Sequence, residues 1–236
     1  MASNNAYGPQ IVTDGLALCL DANNAKSYPG AGTTWYDLSP GGNTAYLQNN
    51  ATFEQEGTIK SVFADGTDDG VQVDSDQLDA VFATSGVTVE VVFKMDSSQS
   101  NPYPRIWDKG YCLMHSSQTS PFGLYVNIYD QDGSDLLQIG ASNFNVTDQW
   151  VHATWSWDGR TSRMWKNGER TTDNISATCQ GDLLATTTTM KIMTNSFSSS
   201  TRDTAGNVAL FRVYERALTK AEVKQNYNAL RSRFGL

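Results

Sequence analysis

"WVHATWSWDGRTSRMWKNGE", residues 150–169, holds four of the six tryptophans in a chain of 236 residues. Its first half alternates. Ala153, Trp155 and Trp157 share one side of an extended chain, and His152, Thr154 and Ser156 share the other. Asp158-Gly159 supplies a hairpin turn, and Asn167-Gly168 a second turn after the returning segment. Period-two alternation closed by such dipeptides predicts a β-hairpin. Its tryptophans are either core or a flat platform on which sugar rings stack. Trp165 lies across the strand from Met164 and Lys166. It is an outward aromatic that meets a partner, or it packs inward.

The same alternation recurs along the chain. In "GLALCLDA" Leu16, Leu18 and Leu20 oppose Ala17 and Cys19, and in "GVTVEVVFKM" Val87, Val89, Val91 and Phe93 share a face. "PRIWDKGYCLMH", "FGLYVNIYD", "DLLQIGAS", "TTMKIMTNSF" and "NVALFRVY" continue it, while "NNAKSYPGAGTTWYDLSPGGN" reads as a long loop. "GTIKSVFADGTDDGVQV" reads as two short strands around an acidic turn. Short strands with regular turns and no interdomain linker predict one all-β, two-sheet antiparallel sandwich. One helix is expected at about residues 219–232. Thr219 and Glu222 form a capping box, and Val223, Tyr227, Leu230 and Phe234 recur at helical spacing. That apolar face is expected to dock on the sandwich edge.

Composition narrows the function classes. Charged residues make up 18% of the chain and the net charge is −8, with no lysine or arginine cluster, so nucleic-acid binding is not expected. No apolar run approaches the roughly 20 residues that span a bilayer, so no membrane partner is expected. "MASNNAYGPQ" lacks the charged and apolar regions of a secretory signal, which predicts synthesis in a cytoplasm. Cys19, Cys112 and Cys179 are odd in number and widely spaced, which argues against a disulfide framework. Cys112 and His115 form C-x-x-H, but on a strand they face opposite ways.

In order and spacing, "GLALCLDA", "TTWYDLSPGGN", "SVFADGTDDGVQV", the opening stretch and "NVALFRVYERALTKAEV" resemble the laminin-G-like, concanavalin-A-like jelly roll over about residues 12–234. The resemblance rests chiefly on W-x-H, W-D-G, W-x-N-G and R-V-Y-x-R-A-L-T-x-A-E-V. It implies a jelly-roll domain over residues 13–236, preceded by an arm at 1–12, and it turns Ala153, Trp155 and Trp157 between the sheets. "IVTDGLALCLDANNAKSYPGAGTTWYDLS" and "QNYNALRSRFG" are similar to a subgroup found in head-decoration, neck and fibre proteins of tailed phages. That likeness implies a non-enzymatic virion structural protein, oligomeric in the particle, whose partners are capsid, tail or neck subunits. Its attachment elements would be the arm and the C-terminal helix. The alternative is a carbohydrate-binding module for adhesion to host surface glycans.

Jelly-roll glucanases of similar fold carry paired carboxylates on one strand face, as retaining hydrolysis requires. On the best matching strand Glu90 stands alone, since positions 92 and 94 are Val and Lys. His115 and His152 fall on separate strands without a serine or cysteine motif, so no catalytic residue is assigned. "DQDGSD" (Asp130, Asp132, Asp135) and "DGTDDG" (Asp65, Asp68, Asp69) offer calcium-type carboxylates. Both also read as tight Asp/Gly turns, and no metal or other cofactor is expected.

Overall fold

The alternation becomes two facing sheets. The computed structural model describes residues 10–117, 123–129, 136–142, 147–171, 174–175, 179–196 and 200–236. Residues 1–9 of the expected arm and the "DQDGSD" turn fall outside them. In chain order the strands are β1 (Leu16–Asp21), β2 (Thr34–Tyr36), β3 (Thr44–Gln48), β4 (Thr52–Glu56), β5 (Ile59–Asp65), β6 (Gly70–Asp74), β7 (Val87–Met95), β8 (Arg105–Asp108), β9 (Cys112–Ser117), β10 (Gly123–Tyr129), β11 (Leu136–Ser142), β12 (Val151–Trp157), β13 (Ser162–Lys166), β14 (Glu169–Arg170), β15 (Asn174–Ile175), β16 (Met190–Ile192) and β17 (Ala205–Tyr214). Among the described residues two α-helices join them, α1 (Asp76–Val81) and α2 (Lys220–Phe234), with a short 3-10 turn at Ser200–Arg202.

One sheet runs β14-β13-β12-β7-β17-β5-β4, with β1 also paired to β17; the other runs β15-β11-β10-β9-β8-β16-β6-β3-β2. The strand pairings in both are antiparallel. The expected two strands around the acidic turn are β5 and β6, but they belong to different sheets, so this turn carries the chain across the sandwich. The Asn167-Gly168 turn behaves as its sequence dictates. Both residues take positive φ (52° and 74°), the conformation a tight β13–β14 hairpin needs.

Between the sheets lies one continuous core. Val87, Val89, Val91 and Phe93 meet Leu124, Val126, Ile128, Met114 and Ile139 from the opposite layer. Trp155 and Trp157 are in this core, with Trp155 tilted against Trp107 at 5.8 Å. The indole N–H of Trp155 donates to Ser162 Oγ at 2.7 Å, which satisfies its one polar atom. The sugar-platform reading of these tryptophans therefore gives way to core. The sequence named neither β2, where Trp35 lies in the expected loop yet is fully buried, nor β3, β4 and the two-residue strands β14 and β15, nor α1, which is capped by Ser75, whose Oγ accepts from Leu78 N–H.

Helix α2 begins where its capping box places it, with Thr219 and Glu222 each satisfying the other's backbone N–H, and it ends on Gly235 in the left-handed conformation. It docks on the face of the eight-stranded sheet and not on an edge. Leu230 and Phe234 cover Val92, Ala209 and Leu210, while Val223 packs with Trp165, Tyr214, Leu218 and Val12. Trp165 thus resolves both ways: it points out of the sandwich, and the helix then buries it to 2% exposure.

Emptying the Trp155 site removes a large aromatic that cannot be replaced by collapse of two sheets. Trp155→Ala is expected to cost about 3–5 kcal/mol, read as a fall in the urea midpoint at constant slope. An unchanged midpoint would place Trp155 outside the core.

Candidate functional site

The sandwich has two outer faces, and they differ. On the eight-stranded sheet, α2 lies over a buried polar cluster centred on Glu90 of β7. Glu90 stands directly across from Arg212 of β17 and diagonally from His152 of β12. His152 Nε2 sits 2.5 Å from Glu90 Oε1; Arg212 Nη1 and Asn226 Nδ2 donate to Oε2 at 3.2 and 3.1 Å. Asn226, on α2, also donates to the Tyr214 hydroxyl at 2.9 Å and accepts from Val12 N–H at 2.8 Å. Tyr214 in turn donates to Val12 C=O at 3.2 Å. The end of the N-terminal arm is thus held in cis, between α2 and the sheet.

Burial alone would raise the Glu90 carboxyl, but the Arg212 charge and the His152 hydrogen bond outweigh it and hold the group at about 2. The same burial, followed by the Glu90 charge, pushes the Tyr214 hydroxyl up. The sequence left Glu90 alone; the fold gives it three partners from three other elements. Glu90 and His152 are both fully buried, so this cluster offers a substrate no surface. Its work is to fasten a helix.

Other sequence candidates separate. His115 lies on the opposite sheet from His152, and Cys112 faces the core while His115 faces outward, as alternation requires. Asp65, Asp68 and Asp69 do converge, with ligand atoms within 4.8 Å of one another. Asp69 is spoken for by the turn, accepting from Asn50 N–H at 2.8 Å and Asp65 N–H at 3.3 Å, and burial raises its carboxyl. A cleft of about 440 Å³ lies beside the start of α2, between Arg163, Trp165, Arg170 and Lys220. Asp158 pairs with Arg163 there at 2.6 Å, and Arg170 lies over the Trp165 ring.

The outer face of the nine-stranded sheet is built differently. Leu124, Val126 and Ile128 turn inward from β10, so Tyr125 and Asn127 turn outward. Register then assembles rows across strands. Arg105 of β8 faces His115 of β9, which faces Tyr125 of β10, which faces Gly140 of β11. The next row runs Tyr46, Gln72, Lys191, Asp108, Leu113, Asn127, Gln138. A bulge in β8 makes these rows possible, because it sends both Ile106 and Trp107 to the core and returns Asp108 to the outside.

The Tyr125 ring stacks beside His115, centroids 5.5 Å apart and planes 17° apart, and Tyr103 meets His115 edge-on at 5.9 Å. Gly140 makes room for it: a Cβ there would stand 2.3 Å from the Tyr125 ring. Asn127 Oδ1 accepts from Gln138 Nε2 at 3.0 Å, and Lys191 Nζ donates to Gln72 Oε1 at 2.5 Å. Burial, then the neighbouring Arg105 charge, holds His115 down at about 4. Tyr36 and Tyr46 are exposed on the same sheet, and Tyr103 and Tyr111 flank β8. Rings beside amides suit a polar ligand with flat apolar faces. The sequence signal was the alternation in "LYVNIY"; the partners of Tyr125 were not legible in it.

A family model described as the concanavalin A-like lectin/glucanases superfamily matches residues 65–224, well over half of the chain. No curated protein matches in sequence. Among solved structures the chain is similar to domain 4 of AbnA, an extracellular arabinanase from Geobacillus stearothermophilus in complex with arabinotriose. There the TM-score is 0.64 at 12% identity, covering 92% of this chain and 100% of that one. It is also similar to the binding domain of Paraclostridial Mosquitocidal Protein 1, with a TM-score of 0.67 at 13% identity, covering 91% of this chain and 52% of that one. Trypanosoma rangeli sialidase gives 0.61 at 12% identity, covering 92% of this chain and 33% of the sialidase. The chain thus spans about half and a third of the latter two, and these likenesses speak to fold.

The two buried titrating groups predict how acid acts. His115 titrates at about 4 in the fold against 6.5 outside it, so the unfolded chain takes its proton first, and stability falls as pH drops from 6.5 to 4. Glu90 titrates at about 2 against 4.5, so its contribution is complete above 4.5 and is lost on the way to 2. His115→Gln should flatten the first segment of a plot of urea midpoint against pH. Glu90→Gln should flatten the second and cost about 3–5 kcal/mol at neutral pH, because Arg212 is left buried without its counter-charge. A midpoint constant from pH 6.5 to 2 would contradict both assignments.

Proposed function

The chain belongs to the concanavalin A-like lectin/glucanase superfamily, and from that membership we propose that it is a non-catalytic domain that binds saccharide on the outer face of its nine-stranded sheet. The observation that carries this reading is the Tyr125 ring, laid beside His115 over Gly140, with the Asn127–Gln138 pair in the adjoining row. A pyranose or furanose ring presents C–H groups to such rings and hydroxyls to such amides. The arabinanase domain of similar fold holds arabinotriose. Catalysis is not part of the proposal. Among the described residues no second carboxylate lies beside Glu90, the one candidate on its strand, and α2 seals that residue from solvent.

The domain acts, in this proposal, as a structural component of a phage virion. The motifs of its first and last stretches support that placement, and so does the disposition of its faces. Gln10 and Val12 lie against α2, with Gln225 Nε2 donating to Gln10 C=O at 2.8 Å. The described end of the arm, Gln10 to Val12, and helix α2, the two proposed attachment elements, lie on one side of the sandwich. The tyrosine face looks the other way, as a domain anchored on a particle and presented to a host surface needs. Among the described residues no helix is long and apolar enough to cross a membrane.

An oligosaccharide array followed by calorimetry tests the binding face. Binding in the micromolar to millimolar range is expected, with no release of reducing ends. Tyr125→Ala should weaken it about 10-fold or more, the loss of a stacked ring, with little change in the urea midpoint. Binding that survives Tyr125→Ala and Asn127→Ala unchanged would remove this face from consideration. Virion placement is tested separately by deleting residues 2–10: the shortened protein should fold yet fail to enter the particle. Incorporation at full occupancy would exclude the arm as the anchor.

A further inference from the structure

Arg105 is an anomaly on this face. It is 4% exposed, and its Nε has no hydrogen-bond acceptor. Its ion pair among the described residues is with Asp108 Oδ2 at 3.6 Å, beyond hydrogen-bond reach. Asp108 is committed elsewhere through its other oxygen, which accepts from Gly110 N–H at 2.8 Å and Ser196 Oγ at 2.6 Å. A second cation, Arg202, stands close enough to act on both Arg105 and His115. Burial first, and then Arg202, bring the Arg105 guanidinium down to about 10. Arg105 is thus a buried cation that Asp108 answers only in part, and the exposed Arg202 adds like charge near it, at a place where a buried charge is costly unless it is matched and hydrogen-bonded.

We propose that Arg105, with Arg202 beside it, is an anion subsite of the saccharide face and selects sugars that carry a carboxylate. This rests on the binding reading above and names its substrate class. A carboxylate fits because its two oxygens match the planar fork of a guanidinium, and it supplies the counter-charge that Asp108 supplies only in part. Arg105 is the direct cross-strand neighbour of His115, which stacks on Tyr125, so the charge and the ring platform occupy one row. A uronic or sialic acid carries both parts: a ring with C–H faces to lie on tyrosine and a carboxylate at its edge for a guanidinium. His115 stays neutral at pH 7, so the positive charge at the site is that of the arginines.

The test titrates glucuronate, N-acetylneuraminate, glucose and glucose 6-sulfate into the protein, read by calorimetry and by the NMR signals of Arg105 Nε–H and the His115 ring. Acidic sugars should bind roughly 10- to 100-fold more tightly than glucose, the span of one charge-assisted hydrogen-bonded pair. Arg105→Lys should bring that ratio toward one, and Arg202→Gln should lower it in part. If Arg105→Lys does not fold, the exposed Arg202 position and the NMR signals decide. Equal binding of acidic and neutral sugars overturns the anion subsite and leaves the saccharide face standing. Glucuronate that moves both signals while neutral sugars and their oligomers never bind upholds the subsite and removes the general saccharide reading. Preference for the sulfate over both carboxylates overturns the carboxylate assignment, and no binding by any of the four overturns both readings.

Discussion

A carboxylate with no access to water must be answered by charge and by hydrogen bonds, and Glu90 is answered from three other elements at once. Arg212 comes from β17, His152 from β12 and Asn226 from α2. Asn226 passes the same network on to Tyr214 and to the backbone of Val12. Removing any one partner strands the others in an apolar layer between sheet and helix, where unpaired charge is most costly. The position of α2, the path of the chain before β1, and the burial of Trp165 all follow from that one cluster.

The asymmetry of the molecule follows as well. A sheet with two apolar faces must cover both, and the eight-stranded sheet does so with the core on one side and α2 on the other. Among the described residues no α-helix covers the outer face of the nine-stranded sheet, and only the short 3-10 turn at Ser200–Arg202 comes near it. Its outward positions are accordingly mostly polar: tyrosine, histidine, asparagine, glutamine, lysine, arginine and aspartate, with Leu113 among them. The cis docking of Val12 belongs to the covered side. An arm expected to reach a neighbouring subunit is, in its last residues, part of the domain's own second core.

What the sequence disclosed was local. Alternation named most of the longer strands of the sandwich, Asn167-Gly168 named a hairpin, and Thr219 with Glu222 named the start of α2. What it withheld was register. Trp35 sits among Gly and Pro breakers that signal a loop, yet pairing with β3 makes it a core residue. Alternation put Trp165 outside the sandwich correctly, but the helix that buries it lies more than fifty residues further along the chain. The row Arg105, His115, Tyr125, Gly140 has no mark in the sequence at all. Its members come from four strands, and the β8 bulge shifts one of them by a residue, an offset that only the paired partner reveals.

The place of strand β17 in the sheet decides how the domain would respond to pulling. Its ten residues pair along one edge with β7, and along the other with β5 and then β1. Leu16 stands opposite Tyr214, so β1 and β17 have adjacent ends on the side where α2 begins. Tension applied between the segment before β1 and the helix after β17 would therefore peel the two strands apart one hydrogen bond at a time, the weakest direction for a ladder. The Val12–Asn226–Tyr214 contacts cross that gap ahead of the first rung. They would take the strain before the sheet does, which makes a buried polar cluster the mechanical fuse of an otherwise apolar sandwich.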